Sequence, residues 1–167
     1  MEISQDTILE EMKASVEDVF TTMLDTVAEL IERGQCHRSH PDHEEPEGGL
    51  KVDVEATVDF FGQPSGSVIL RATAEGAVDI ARKLLMMEDD ESVDLEEVQD
   101  ALGECANMVT GTLKTRALDP GGSFELSTPR IATRVVVEHE HPAGRLVFQL
   151  SQGAVAIEIW LSEGVHP

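Results

Sequence analysis

Basic residues are scarce in this chain. Only 12 Lys and Arg stand against 33 Asp and Glu, for a formal net charge of −21. A surface this negative repels nucleic-acid backbone and anionic lipid, which argues against an unassisted role at either. Aromatic residues are few: one Trp, five Phe and no Tyr in 167 residues. The core must therefore be aliphatic. Two cysteines, Cys36 and Cys105, cannot build a disulfide framework. No run approaches the ~20 apolar residues of a membrane span. The opening Met1-Glu2-Ile3-Ser4-Gln5-Asp6 lacks the basic start of a signal peptide. A cytoplasmic protein with reduced thiols is expected. No Gly-x-Ser-x-Gly elbow and no phosphate-binding glycine loop is found, so nothing points to a serine hydrolase or to ATP binding.

What is present fits an ordinary globular chain, 41% apolar and 27% charged. The length suits one domain over residues 1–167, long enough for a substantial core. Apolar residues at spacings of three and four, from Ile8 through Met12, Val16, Phe20, Met23 and Val27 to Ile31, predict a helix over residues 7–33. Residues 35–49 carry Pro41, Pro46, Gly48 and Gly49 and read as a flexible, His-rich, acidic loop. Val52, Val54, Ala56 and Val58 alternate with polar residues, a half-buried strand. A turn over residues 62–66 returns the chain in a second strand, 67–72. Thr73 is placed to cap a helix through Met87, and a further helix runs from 95 to 118 until Asp119-Pro120-Gly121-Gly122 stops it. The remainder reads as strands over 123–126, 131–139, 145–151 and 154–161. The fold class expected is α+β, with long helices packed on a mostly antiparallel sheet.

The helix over 95–118 holds the sharpest signal. At about 100° per residue, Val98, Ala101, Leu102, Cys105, Met108, Val109, Thr112 and Leu113 fall on one side. Asp100, Glu104, Asn107 and Gly111 fall within about 60° of one another on the other. A carboxylate and a carboxamide at i and i+3 thus stand side by side. Gly103 and Gly111 flank them, and Ala106 is small. An exposed mid-helix glycine costs about 1 kcal/mol against alanine. Two readings stand at this point. Either something approaches this face closely, or the face is merely solvated, as charged helix faces usually are, and the glycines serve packing on the sheet.

Asp100-Ala-Leu-Gly-Glu104-Cys-Ala-Asn107-Met-Val-Thr-Gly111 resembles the signature of the CheC/CheX/FliY phosphatases of bacterial chemotaxis, and CheX most of all. Residues 16–24 are similar to that family's first helix, 61–87 to its hairpin and following helix, and 126–131 to the segment ahead of its next strand. The first helix has no Glu-x-x-Asn pair, a CheX trait. The resemblance implies a CheC-like fold and, as substrate, a phosphorylated CheY-like response-regulator receiver. It implies that Asn107 orients the attacking water and that Glu104 docks to the receiver's active-site Lys. Asp100, Gly103 and Gly111 would line the contact, although Asp100 is equally well a solvated acid. The chain would need no cofactor of its own, Mg²⁺ being held by the partner. It also implies a homodimer, and the Val135-Val136-Val137 strand edge is of the kind that needs a partner or cover. The alternative is a signalling module that binds a receiver without hydrolysis.

Four other features carry weaker signals. Cys36, His37, His40 and His43 have spacings that suit Zn²⁺ or Ni²⁺, but in a loop without a frame, so no specific metal site is expected. His139 and His141 read as a hairpin end. Cys105 lies in the apolar arc, where thiols are usually inert. Lys114 and Arg116 read as cations matched to the helix dipole.

Overall fold

The computed structural model describes residues 4–34, 51–133 and 142–162. The Cys36–His43 ligand candidates, His139, His141 and the Val135–Val137 edge lie outside the described residues.

Seven strands form one sheet in the order β1-β6-β7-β3-β2-β4, and β5 also pairs with β2. The strands are β1 (Glu29–Gly34), β2 (Val54–Phe61), β3 (Gly66–Ala72), β4 (Glu125–Leu126), β5 (Arg130–Ala132), β6 (Gly144–Gln149) and β7 (Ala154–Leu161). Every pairing among the described residues is antiparallel. Helices α1 (Gln5–Met23), α2 (Ala74–Leu84) and α3 (Leu95–Leu113) contribute to one apolar core with the strands. The expected α+β class is observed. Two helices run 19 residues and α2 only 11.

Alternation sets the sheet's two faces. Val54, Ala56, Val58 and Phe60 of β2, with Val68, Leu70 and Ala72 of β3 and Val155, Ile157 and Ile159 of β7, are buried in the core. The intervening positions carry charge. Arg71 Nε lies 3.3 Å from Glu158 and 3.7 Å from Glu55, and Arg145 Nε lies 3.5 Å from Glu158. This ladder ties four neighbouring strands together on the sheet's other face. Removing one member would strand a buried charge.

The helix expected over 7–33 is corrected. It stops at Met23, and residues 29–34 instead form an edge strand against β6. The reversal passes through Asp25, at φ +48°, with the Thr26 amide donating to the Phe20 carbonyl at 3.0 Å. Aspartate tolerates the left-handed region better than most residues, and there it breaks the helix. Val27 and Ile31, which extended the apolar period in sequence, are 74% and 56% exposed. The α2 helix also ends short of Met87, with Met86 at φ +55°. Residues 114–118 continue α3 as a π-helical turn.

β4 and β5 share one neighbour, β2, and are separated by Ser127-Thr128-Pro129. The interruption is pinned. The Asp59 amide donates to Ser127 Oγ at 2.9 Å, and the Ser127 amide donates to the Asp59 carbonyl at 2.9 Å. Arg130 donates to both carboxylate oxygens of Asp59, and Ser67 Oγ donates to one of them. The Arg130 guanidinium holds the Asp59 carboxyl below the usual carboxylate range against the opposing effect of burial. A folded-state pKa lowered in this way supplies stability above the unfolded value, and that stability is lost as pH falls through the folded value. Asp59→Asn is therefore expected to lower Tm at about pH 7, with the deficit closing as pH falls below the ordinary carboxylate range. Thermal melts of the two proteins across that range check it.

Candidate functional site

The long helix α3 is fixed at its start by a capping box. The Glu97 amide donates to Asp94 Oδ1 at 2.8 Å, and the Asp94 amide donates to Glu97 Oε2 at 3.0 Å. Glu96 and Glu97 in the first turn suit the positive end of the helix dipole. Beyond the cap, Val98, Ala101, Leu102, Cys105, Val109 and Leu113 are buried, as the period predicts. Gly103, Ala106 and Thr110 are buried as well, and Met108 and Thr112 partly so. The helix packs against α1, α2, β2 and β3. What stays open is a narrow stripe.

Asp100, Glu104 and Asn107 are exposed on that stripe, and Gly111 is partly exposed. Among the described residues, none of the three polar side chains makes a hydrogen bond or an ion pair. A carboxylate and a carboxamide one turn apart thus reach solvent with free donors and acceptors. The bases nearby are already engaged. Lys114 Nζ pairs with Asp119 at 2.8 Å, and Arg116 lies 3.8 Å from Glu11 and 3.5 Å from Asp18. Both stand in the helical turn 114–118 that ends this segment, where the expected match to the helix dipole and these ion pairs coexist.

The two glycines differ. Gly103, expected to flank the exposed pair at a contact, is instead buried under its own chain. A Cβ there would sit 3.1 Å from Ile131 Cδ1 and 3.4 Å from Pro129 Cγ. It is small because the pinned 127–131 segment crosses α3 at this point. The sequence held the signal, a Ser-Thr-Pro ahead of a strand, but not the crossing. Gly111 is the opposite case: a Cβ there would meet nothing within 4 Å. Nothing in the described chain requires glycine at this helical position.

Burial, with the Glu104 charge beside it, pushes the Cys105 thiol up to about 12. At neutral pH it is a thiol, not a thiolate, and not a nucleophile. Among the described residues no group of three or more His, Cys, Asp or Glu is placed to hold a metal ion. No helix of the described residues is long and apolar enough to cross a membrane.

Residues 54–151 match the family model of the chemotaxis phosphatase CheX. The chain belongs to the CheX family. Its fold is that of several solved CheX and CheC-like proteins. CheX of Desulfovibrio desulfuricans is 21% identical and superimposes with a TM-score of 0.72, over 93% of this chain and 99% of that one. A CheC-like superfamily protein of Shewanella sp. PV-4 is 24% identical with a TM-score of 0.71, over 93% and 97%. CheX of Borrelia burgdorferi, solved as a CheX–CheY–BeF3–Mg²⁺ complex, is 21% identical with a TM-score of 0.67, over 95% and 99%. No curated protein sequence matches the chain. The CheX match spans α3 whole, and with it the exposed stripe.

Two outcomes follow from these environments. Gly111→Ala is expected to stabilise the chain by about 1 kcal/mol, roughly 2–4 °C in Tm, because the helix gains a better former and nothing clashes. A calorimetric scan checks it. Cys105 is expected to resist alkylation by iodoacetamide in the native protein at about pH 8 and to react fully once unfolded. Mass mapping of the Cys105 peptide reads this directly.

Proposed function

We propose that this CheX-family protein hydrolyses the aspartyl phosphate of a CheY-like response-regulator receiver, with Asn107 and Glu104 as the working pair. The observation that carries the reading is the unpartnered carboxylate and carboxamide on the one open stripe of an otherwise embedded helix. Membership of a chemotaxis phosphatase family supports it, as does a CheX–CheY complex among proteins of this fold.

The chemistry suits the residues. Phosphoryl transfer to water passes through a loose transition state, so little proton abstraction is needed and positioning dominates. The Asn107 carbonyl accepts a hydrogen bond from the water and fixes its approach in line with the breaking P–O bond. Being neutral, it adds no charge beside a phosphoryl group that is already negative. Glu104 pairs with the receiver's active-site Lys and sets the register of the two proteins. Such a contact, once desolvated, governs dissociation and orientation. Asp100, one turn earlier, extends the acidic side of the contact. Gly111 keeps bulk away from the approaching surface. Gly103 has no part in it, since its own chain covers it. The receiver's carboxylates hold the Mg²⁺, and this chain supplies no ligand to it.

The unit proposed is one CheX-like domain over 1–167, cytoplasmic and paired as a homodimer. With a charge of −21, long-range attraction requires basic surface around the receiver's pocket.

The test is phosphate release from a phosphorylated receiver. Asn107→Ala is expected to lose hydrolysis by about 10²-fold or more while keeping most of its binding. Glu104→Ala is expected to lose both. Wild-type rates from both variants would refute the assignment. Binding without any hydrolysis by the wild type would instead establish a non-catalytic receiver-binding module.

A further inference from the structure

The segment over residues 127–131 links the two faces of the sheet. Alternation along β5 sends consecutive residues to opposite sides. Ile131 pairs with Ala56, a core position of β2, and packs against the core. Arg130 pairs with Thr57 and turns to the other face, where its guanidinium holds both carboxylate oxygens of Asp59. Ser67 Oγ braces the same carboxylate at 2.6 Å, and Ser127 exchanges two hydrogen bonds with the Asp59 backbone. β4 and β5 tie the segment to β2 on either side of this knot.

The segment so held bears on α3 at Gly103. A Cβ there would sit 3.1 Å from Ile131 Cδ1, and 3.4 and 3.6 Å from Cγ and Cβ of Pro129. A methyl group at that position forces its neighbours to give by a few tenths of an ångström. Residues 127–131 are anchored to Asp59 and the sheet, so part of that displacement falls on the helix.

Gly103 stands one residue before Glu104 and one turn before Asn107. At about 100° per residue, positions 103 and 107 differ by only about 40° around the helix. Helical side chains lean towards the N-terminus, so Asn107 stands over the turn that Gly103 opens. The segment therefore bears on α3 at the level where the carboxamide is presented. Asn107 makes no hydrogen bond among the described residues, so the backbone alone sets where it stands.

We infer that residues 127–131, tied down through Asp59 and Arg130, are a positioning device for the Glu104–Asn107 pair, with Gly103 as the point of contact. They act through the helix, not by touching the receiver. This rests on the phosphatase reading and adds to it the residues that aim the pair. Aim matters when the transition state is loose, and a misplacement of about 1 Å can cost about 10²-fold in rate. A shift of a few tenths of an ångström costs several-fold and leaves docking nearly unchanged.

The experiment uses the full chain and a panel of CheY-type receivers phosphorylated with acetyl phosphate. KM and kcat are read from phosphate release, and folding from thermal melts. Gly103→Ala is expected to lower kcat about fivefold with KM within about twofold of wild type. Adding Ile131→Val, which deletes the Cδ1 that the new methyl group meets, is expected to bring kcat back to within about twofold of wild type. A loss of stability alone would produce neither the split nor the rescue. If Gly103→Ala folds and keeps wild-type kcat, or loses kcat without rescue by Ile131→Val, the positioning assignment is overturned and the phosphatase reading stands. If Gly103→Ala does not fold, Arg130→Gln decides. Its side chain is 60% exposed, and its loss is expected to lower kcat about threefold with KM kept. An unchanged kcat there overturns the assignment. If the wild type releases no phosphate from any receiver in the panel, both readings are overturned.

Discussion

The rotation of α3 about its own axis decides what this protein offers to others. That rotation is fixed by burial on three sides, against α1, α2 and the sheet. Turning the helix by one residue step, about 100°, would drive Glu104 towards the core and bring Leu102 or Cys105 out. Exposing a leucine forfeits about 2 kcal/mol, and burying an unpaired carboxylate costs several more. The capping box at Asp94 and Glu97 fixes the other degree of freedom, sliding along the axis. The stripe of Asp100, Glu104 and Asn107 is thus held by the core, with no hydrogen bond to the side chains it displays. Its donors and acceptors stay available for a partner.

This division suits a loose transition state. When chemistry needs placement more than strong acid or base, a rigid backbone carrying one amide is sufficient, and rigidity comes from packing already needed for folding. A loop could carry the same two side chains but would have to be ordered at each encounter. On a helix pinned at its cap and flanked by two others, that ordering has been completed during folding.

Much of this was legible in sequence because α3 has a clean period. The apolar arc, the polar stripe and the Glu104–Asn107 adjacency all follow from 100° steps, and β2 and β3 announce themselves by strict alternation. The failures have physical causes. Val27, Leu30 and Ile31 keep helical spacing past the end of α1, yet the chain reverses at Asp25 and spends them on an edge strand and solvent. Nothing in their spacing distinguishes that stretch from a further turn of helix. Gly103 and Gly111 look alike in sequence because each breaks the same helix rule. Only the crossing of Pro129 and Ile131 over the first separates them.

The charge balance sharpens what the open surface can be. The described cations near the stripe are committed, Lys114 to Asp119 and Arg116 to Glu11 and Asp18. The exposed stripe is therefore acidic, and it repels an acidic phospho-site except where that site is bordered by base. Repulsion of this kind is itself selective. A receiver with neutral or acidic flanks meets like charge without compensation, whereas one with basic flanks gains at the rim what it loses at the phosphoryl group. On the proposed reading, a neutral amide at the point of reaction is what lets an acidic protein approach a phosphoryl centre. A carboxylate in place of Asn107 would set charge against charge at contact distance, where solvent screening is weakest.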